Sequence, residues 1–181
     1  MPDETSTLQR EIQQRKPFRS RGQELVVGLL RTADLVRRAV DRTLAPYDIT
    51  PQQYNVLRIL RGAGDQGLPT LEIGGRMLEQ APGITRLLDR LEAKSLVRRE
   101  RCPQDRRQVL CWLTPAGLAI VERLDDPIDA ADREAVAMLG EEDQERLLRL
   151  LEAIRAGHRG SDDVSLNDIP SGTVKNKERI S

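Results

Sequence analysis

Aromatic side chains are nearly missing from this chain: Phe, Trp and Tyr together make up 2% of its 181 residues. A core built without them has to be filled by Leu, Val, Ile and Ala. Histidine occurs once, at His158, and cysteine twice, at Cys102 and Cys111, with no CxxC pair. Zinc asks for four ligands, or three and a water, so no metal site is expected. A Ser-His-Asp triad would have to use His158 in the charged, glycine-flanked AGHRGSDD, which reads as solvent-exposed surface. No other nucleophile–base pair and no phosphate loop is present, so neither enzyme activity nor a cofactor is expected. Long apolar runs are absent as well: nothing reaches the ~18 uncharged residues of a membrane span. Asp3 and Glu4 stand near the N-terminus with no apolar run behind them, and no signal peptide is expected. A cytoplasmic protein with free thiols follows as the expectation for the two cysteines.

What is there is charge, and it is unevenly placed. The 29 cations and 29 acids cancel. From Pro51 to Pro115, however, eleven Lys and Arg face seven acids, while from Ala116 to Gly160 six face eleven. A basic middle and an acidic C-terminal third argue for one face suited to a polyanion. The length favours one domain with tails. A body of about 140 residues can bury roughly two-thirds of its unfolded surface, enough for a core without staples.

Residues 1–20 are polar and charged and read as a mobile tail. From Gly22, the residues Val26, Leu29, Leu30, Ala33, Val36, Val40 and Leu44 recur at spacings of three and four, which predicts one apolar helix stripe ending at Pro46. In DITPQQYNVLRIL, Thr50, Pro51 and Gln53 make a capping box with proline at the first position of a helix that buries Tyr54, Leu57, Ile59 and Leu60. The run GAGDQGLP predicts a turn. A short helix follows with Leu71, Ile73, Met77 and Leu78; its pair Gly74-Gly75 costs propensity and predicts close packing against another helix. ITRLLDRLEAK turns Ile84, Leu87, Leu88 and Leu91 inward and Thr85, Arg86, Asp89 and Arg90 outward. Thr114-Pro115 starts a long helix that Pro127 is expected to kink or break, and Gly140 opens a final one with acids in its first turn. From Gly160 the composition predicts a disordered tail.

Between the last two helices and the first four lies RRERCPQDRRQVLCWLT, with five arginines from Arg98 to Arg107. Leu96–Cys102 and Gln108–Leu113 alternate as strands about a PQDRR turn. Two helices joined by a short turn and followed by such a hairpin is the order of a winged helix-turn-helix. The fold class expected is mainly α with a small β-hairpin wing (α+β).

On these pieces the sequence resembles the MarR family of bacterial transcription regulators. The matching residues are LRIL, ITRLLDRLEAKSLVRRE and QDRRQVLCWLT, and the most specific motif is D-x-R, here Asp105 and Arg107, a fixed distance before Leu113-Thr114. The resemblance covers roughly Gly22 to Gly157. It implies a homodimer in which helices from both chain ends intertwine and each protomer offers a winged helix to double-stranded DNA. The division it implies is a tail at 1–20, a dimerisation helix at 21–47, the DNA-binding region at 48–114, C-terminal dimerisation helices at 115–159 and a tail at 160–181. Two departures stand out. Ser95 occupies the recognition-helix end where the family has glycine, at a cost of roughly 1 kcal/mol. No cysteine precedes Cys102, so the reactive-cysteine mechanism of the family's hydroperoxide sensors does not carry over.

The DNA-contacting set expected on the recognition helix and its entry is Gln80, Pro82, Gly83, Thr85, Arg86 and Arg90, because helix-turn-helix proteins read base edges with the start of that helix. For Arg86 and Arg90 the alternative is ordinary helix-surface charge paired with Asp89 or other acids. On the wing the set is Arg99, Arg101, Asp105, Arg106 and Arg107. A hairpin tip reaches flanking phosphates or the minor groove, and a guanidinium meets such acceptors bidentately. By resemblance Asp105 holds Arg107 in one orientation; the alternative is an ion pair across a solvated turn. For Arg98, Arg99 and Arg101 the alternative is a solvated strand face. Cys111 has inward parity, whereas Cys102 lies near the tip, where Arg101 could activate its thiol.

The resemblance further implies a crevice between the DNA-binding lobes that takes a small aromatic or phenolic effector. Its lining would be Leu35, Val36, Tyr54, Leu57 and Leu124, with Arg38 as anion partner. Against this, Tyr54 reads equally as core and Arg38 as exposed helix charge. The function expected is a dimeric repressor released by its effector from a pseudo-palindromic operator. A winged-helix protein-interaction module, or a MarR-like activator or anti-repressor without a ligand, are the alternatives.

Overall fold

The computed structural model of the chain describes residues 6–79 and 83–162. They fall into two compact units, the first ending at Ala135 and the second beginning at Val136. In order, the first unit holds α1 (Thr7–Glu11), α2 (Arg21–Leu44), α3 (Pro51–Ala63), β1 (Leu68–Pro69), α4 (Thr70–Arg76), α5 (Ile84–Ala93), β2 (Val97–Arg101), β3 (Val109–Leu113) and α6 (Pro115–Ala135). The second holds α7 (Glu141–Asp162). The protein is mainly helical with one small antiparallel sheet, and α4, α5 and the β2–β3 hairpin form a winged helix-turn-helix.

Helix starts follow the caps legible in the sequence. The Thr50 hydroxyl accepts from Gln53 N at 3.2 Å, and the Gln53 side chain accepts from Thr50 N at 3.0 Å, completing the capping box of α3. Apolar faces of α3, α5 and α6 then close one core around Val56, Leu57, Leu60, Leu88, Leu91, Val121 and Leu124, all at or below 1% exposure. Each such leucine stabilises the fold by about 1.5–3 kcal/mol relative to an exposed position. An ion pair from Arg61 to Asp125, 2.7 Å long, ties α3 to α6, and the Arg61 guanidinium holds the Asp125 carboxyl below its usual range.

Five features differ from the sequence reading. The N-terminal stretch expected as a mobile tail contains α1, capped by the Ser6 hydroxyl. Its order comes from side-chain bonds that polar composition hides: Gln9 is buried and donates to the Gln14 carbonyl at 3.1 Å. The turn after α3 contains β1, which pairs with β3 through Leu68↔Cys111 and Pro69↔Leu110. Two residues are too few for a periodicity, and Pro69, lacking an N–H, fits only an edge strand. Pro127 does not end its helix: α6 runs on to Ala135. Burial of Leu124 and Ile128 on either side of it holds the helix across the missing hydrogen bond. The pair Gly74-Gly75 does not serve close packing, since a Cβ at either would meet nothing within 4 Å. At the far end α7 continues to Asp162, past the expected boundary at 160, and the rest of that tail lies outside the described residues.

Two helices present apolar residues to solvent. On α2 these include Leu25, Val26, Leu29 and Leu30, and on α7 Leu147, Leu148, Leu150 and Ile154.

Glycine substitutions separate tight from loose packing. At Gly117, in the first turn of α6, a Cβ would collide with the Leu96 carbonyl and approach Leu113 Cδ1 to 2.8 Å. Gly117→Ala is expected to destabilise by about 1–3 kcal/mol. Gly74→Ala is expected to stabilise by up to about 1 kcal/mol. Opposite shifts of the thermal midpoint in the two variants are the check; an unchanged midpoint in Gly117→Ala would contradict the seating of α6 on the wing.

Candidate nucleic-acid interface

Helix α5 is amphipathic by sequence and mounted accordingly. Leu87, Leu88 and Leu91 are buried, leaving Thr85, Arg86, Asp89 and Arg90 exposed on the opposite side. Gly83 starts the helix with φ 100°, a left-handed conformation open to glycine. Gln80 and Pro82, expected at this entry, lie outside the described residues. The helix ends as the sequence predicts, with Ser95 itself in the left-handed region at φ 58°. Ser95 N donates to the Glu92 carbonyl at 2.8 Å and Leu96 N to the Leu91 carbonyl at 2.9 Å, the paired bonds of a Schellman turn. The Ser95 carbonyl in turn accepts the Thr114 hydroxyl at 2.7 Å, and that hydroxyl accepts Gly117 N at 3.0 Å. Three atoms, the Ser95 carbonyl oxygen, the Thr114 hydroxyl and Gly117 N, thus join the end of α5 to the start of α6.

The wing pairs Val97↔Leu113 through Arg101↔Val109. At its tip Asp105 acts on the backbone: one carboxylate oxygen accepts Arg107 N at 3.0 Å and the other accepts the Gln108 side-chain amide at 3.1 Å. This corrects the expected role of Asp105. It shapes the turn that carries Arg107 and leaves the guanidinium free, because a short Asp side chain reaches the main-chain N–H two residues on more readily than a long side chain turned to solvent.

The five arginines of this stretch divide by use. Arg98 lies over the Trp112 ring at 4.3 Å and pairs with Glu100. Arg99, expected as a phosphate contact, is turned the other way. Its Nε donates to Glu92 at 2.9 Å and its Nη2 to Asp89 at 2.6 Å, both acids of α5. Glu92 first and then Asp89 hold its pKa above the usual value. Arg101, Arg106 and Arg107 are exposed and form no ion pair among the described residues, and the same is true of Arg86 and Arg90. Recognition helix and wing therefore carry five unpaired guanidinium groups. Sequence reasoning missed Arg98–Trp112, although the two are cross-strand partners in the register and alternation places both on the outward face.

The six residues expected to line an effector crevice are not gathered around a cavity. Tyr54, Leu57 and Leu124 are packed in the core, because the apolar faces of α3 and α6 satisfy each other within one chain. Leu35 and Val36 are exposed on α2, and Arg38 is tied to Asp34 at 2.8 Å. Among the described residues no group of His, Cys, Asp and Glu could hold a metal ion, and no helix is long and apolar enough to cross a membrane.

Comparison with known proteins agrees with this geometry. The MarR family model matches residues 49–109. The HTH-type transcriptional regulator PecS of Dickeya dadantii is 30% identical over 129 residues, 70% of this chain and 78% of its own. A MarR transcription factor from Planctomyces limnophilus is 36% identical, with a TM-score of 0.59 over 76% of this chain and 99% of that one. A mutant MarR from E. coli complexed with operator DNA is 29% identical, with a TM-score of 0.67 over 72% and 93%.

The two cysteines give a test of the sheet's inner face. Cys111 is fully buried beneath it, and burial pushes its thiol pKa up, whereas Cys102 is partly exposed. Thiolate is the reacting form, so a thiol reagent is expected to modify Cys102 in the native protein and Cys111 only after denaturation. Equal rates at the two sites in the folded state would contradict this packing.

Proposed function

The chain belongs to the MarR family of transcriptional regulators, and on that premise we propose that it binds a pseudo-palindromic operator as a homodimer and represses transcription until a small aromatic or phenolic effector releases it. The observation that carries the DNA reading is the set of unpaired, exposed guanidinium groups on Arg86, Arg90, Arg101, Arg106 and Arg107. Exposed cations with no internal partner are free to replace counterions along a phosphate backbone.

In this reading the start of α5 enters the major groove, where Arg86 reads guanine and Thr85 a neighbouring base edge. Gly83 lies at the helix entry, where its backbone approaches a phosphate; Gln80 and Pro82, which precede it in the sequence, stay in the proposed contact set. Arg90 and Arg101 meet phosphates. Arg106 and Arg107 at the wing tip reach the adjacent minor groove, with Asp105 fixing the turn beneath them. Arg99 drops out of the contact set. The region 48–114 does this work, and 21–47 with 115–159 supplies the dimer. The exposed leucines of α2 and α7 support that division, since a second copy is what covers apolar helix faces left open by one chain.

Tyr54, Leu57 and Leu124 are packed in the core of one chain, so in this reading a crevice is completed by the second copy, with Leu35 and Val36 on its wall. A ligand there releases DNA only if it favours protomer spacings that mismatch the half-sites. Thermal shift and operator competition with a panel of aromatic acids and phenols, run on one sample, test it: a compound must move both readouts.

Binding-site selection followed by variants tests the DNA reading. Arg107→Ala is expected to weaken every duplex by about 1–3 kcal/mol, while Arg86→Ala relaxes preference at one base position per half-site. Half-site centres are expected about 10 base pairs apart. An unchanged selected motif in Arg86→Ala would contradict the proposed register. Sedimentation is expected to give twice the 20.4 kDa of one chain, and Leu30→Glu to shift it toward the monomer. A monomer that still holds a palindromic duplex tightly would rule out the dimer.

A further inference from the structure

We propose that Arg99 is a positioning residue, bridging Asp89 and Glu92 to fix the angle of the wing on the recognition helix, and that it makes no DNA contact of its own. The geometry stands alone; its consequence for operator affinity rests on the DNA-binding reading above.

Between the end of α5 at Ala93 and the start of β2 at Val97 only a short left-handed turn connects helix to strand. Beyond the rows that include Leu68 and Pro69 no third strand joins the hairpin among the described residues, so its outer part is a two-stranded ribbon. Such ribbons are marginally ordered by themselves. Arg99 sits opposite Cys111 in the row backed by Leu68, two residues before the ribbon begins at Arg101. Asp89 and Glu92 are three residues apart on α5 and share one face, which makes a fixed two-carboxylate receptor. Nε and Nη2 both donate to Glu92 Oε2, at 2.9 and 2.5 Å, and Nη2 also donates to Asp89 Oδ1 at 2.6 Å. Only 21% of the Arg99 side chain is exposed, against 52% for Asp89. A planar fork fits this site, whereas an ammonium would supply a single point charge. The clamp also accounts for two acids on a helix that faces a polyanion, where their charge alone weakens binding.

The test uses the full chain, with Arg99→Lys and with the pair Asp89→Asn, Glu92→Gln. A nitroxide on Cys102 reports wing motion without DNA, Cys111 being buried and unlabelled. Unlabelled proteins are titrated with the selected operator and with random duplex. The label is expected to become more mobile in both variants. Operator affinity is expected to fall about tenfold in both, the scale of coupled neighbouring groups. Affinity of the carboxamide pair for random duplex is expected to rise, since two negative charges are gone. That opposed movement is what general destabilisation does not produce. Unchanged spectra in both variants would overturn the clamp. Tighter operator binding by the carboxamide pair would also overturn it, by showing that a released Arg99 takes a phosphate. If the unmodified protein binds no duplex at all, the DNA reading fails, and the spin label still decides the clamp.

Discussion

The joint around Ser95 sets the placement of α5, the wing and α6 together. Within a few residues the recognition helix ends, the wing begins, the wing returns and α6 starts, and the same few atoms serve all four. The Leu96 carbonyl accepts Thr114 N at 3.1 Å and leaves no room for a side chain at Gly117. The Ser95 carbonyl accepts the Thr114 hydroxyl, which also caps α6 through Gly117 N. A backbone bond, a side-chain bond and a steric limit act on one point, so the angle between α5 and α6 has little freedom. The joint needs a left-handed residue, and the chain uses serine there at a cost of roughly 1 kcal/mol relative to glycine.

From that joint outward, the protein sorts its arginines into those used for folding and those left over. Arg61 joins α3 to α6, Arg98 covers the indole, and Arg99 holds two acids of α5. Arg86, Arg90, Arg101, Arg106 and Arg107 form no ion pair among the described residues. Surface ion pairs contribute little to stability, so leaving five guanidinium groups unpaired costs the fold almost nothing while concentrating free positive charge on two adjacent elements.

How much was legible in the sequence follows from which interactions are local. The capping box at Thr50, the amphipathic α5, the left-handed Ser95 and the alternation that buries Cys111 all depend on residues a few positions apart, and each was readable. Arg99 was misread because its partners, Asp89 and Glu92, become neighbours only when the strand folds back along the helix. Strand β1 was missed for the same reason: Leu68 pairs with Cys111, far along the chain. The effector lining failed on a different ground, since a helical stripe records that a face is buried and carries no record of what buries it.

Trp112 is the chain's single tryptophan, and it lies on the middle strand of the sheet. Its indole N–H donates to the Asp65 carbonyl at 3.1 Å, Gly67 leaves no space for a Cβ beside the ring, and Arg98 lies over its face. The ring is therefore in touch with β2 on one side and the β1 turn on the other. Its fluorescence comes from one place, and that place is where the wing meets the body of the protein. The chain carries an intrinsic optical reporter at the point where a change in wing attitude has to register first.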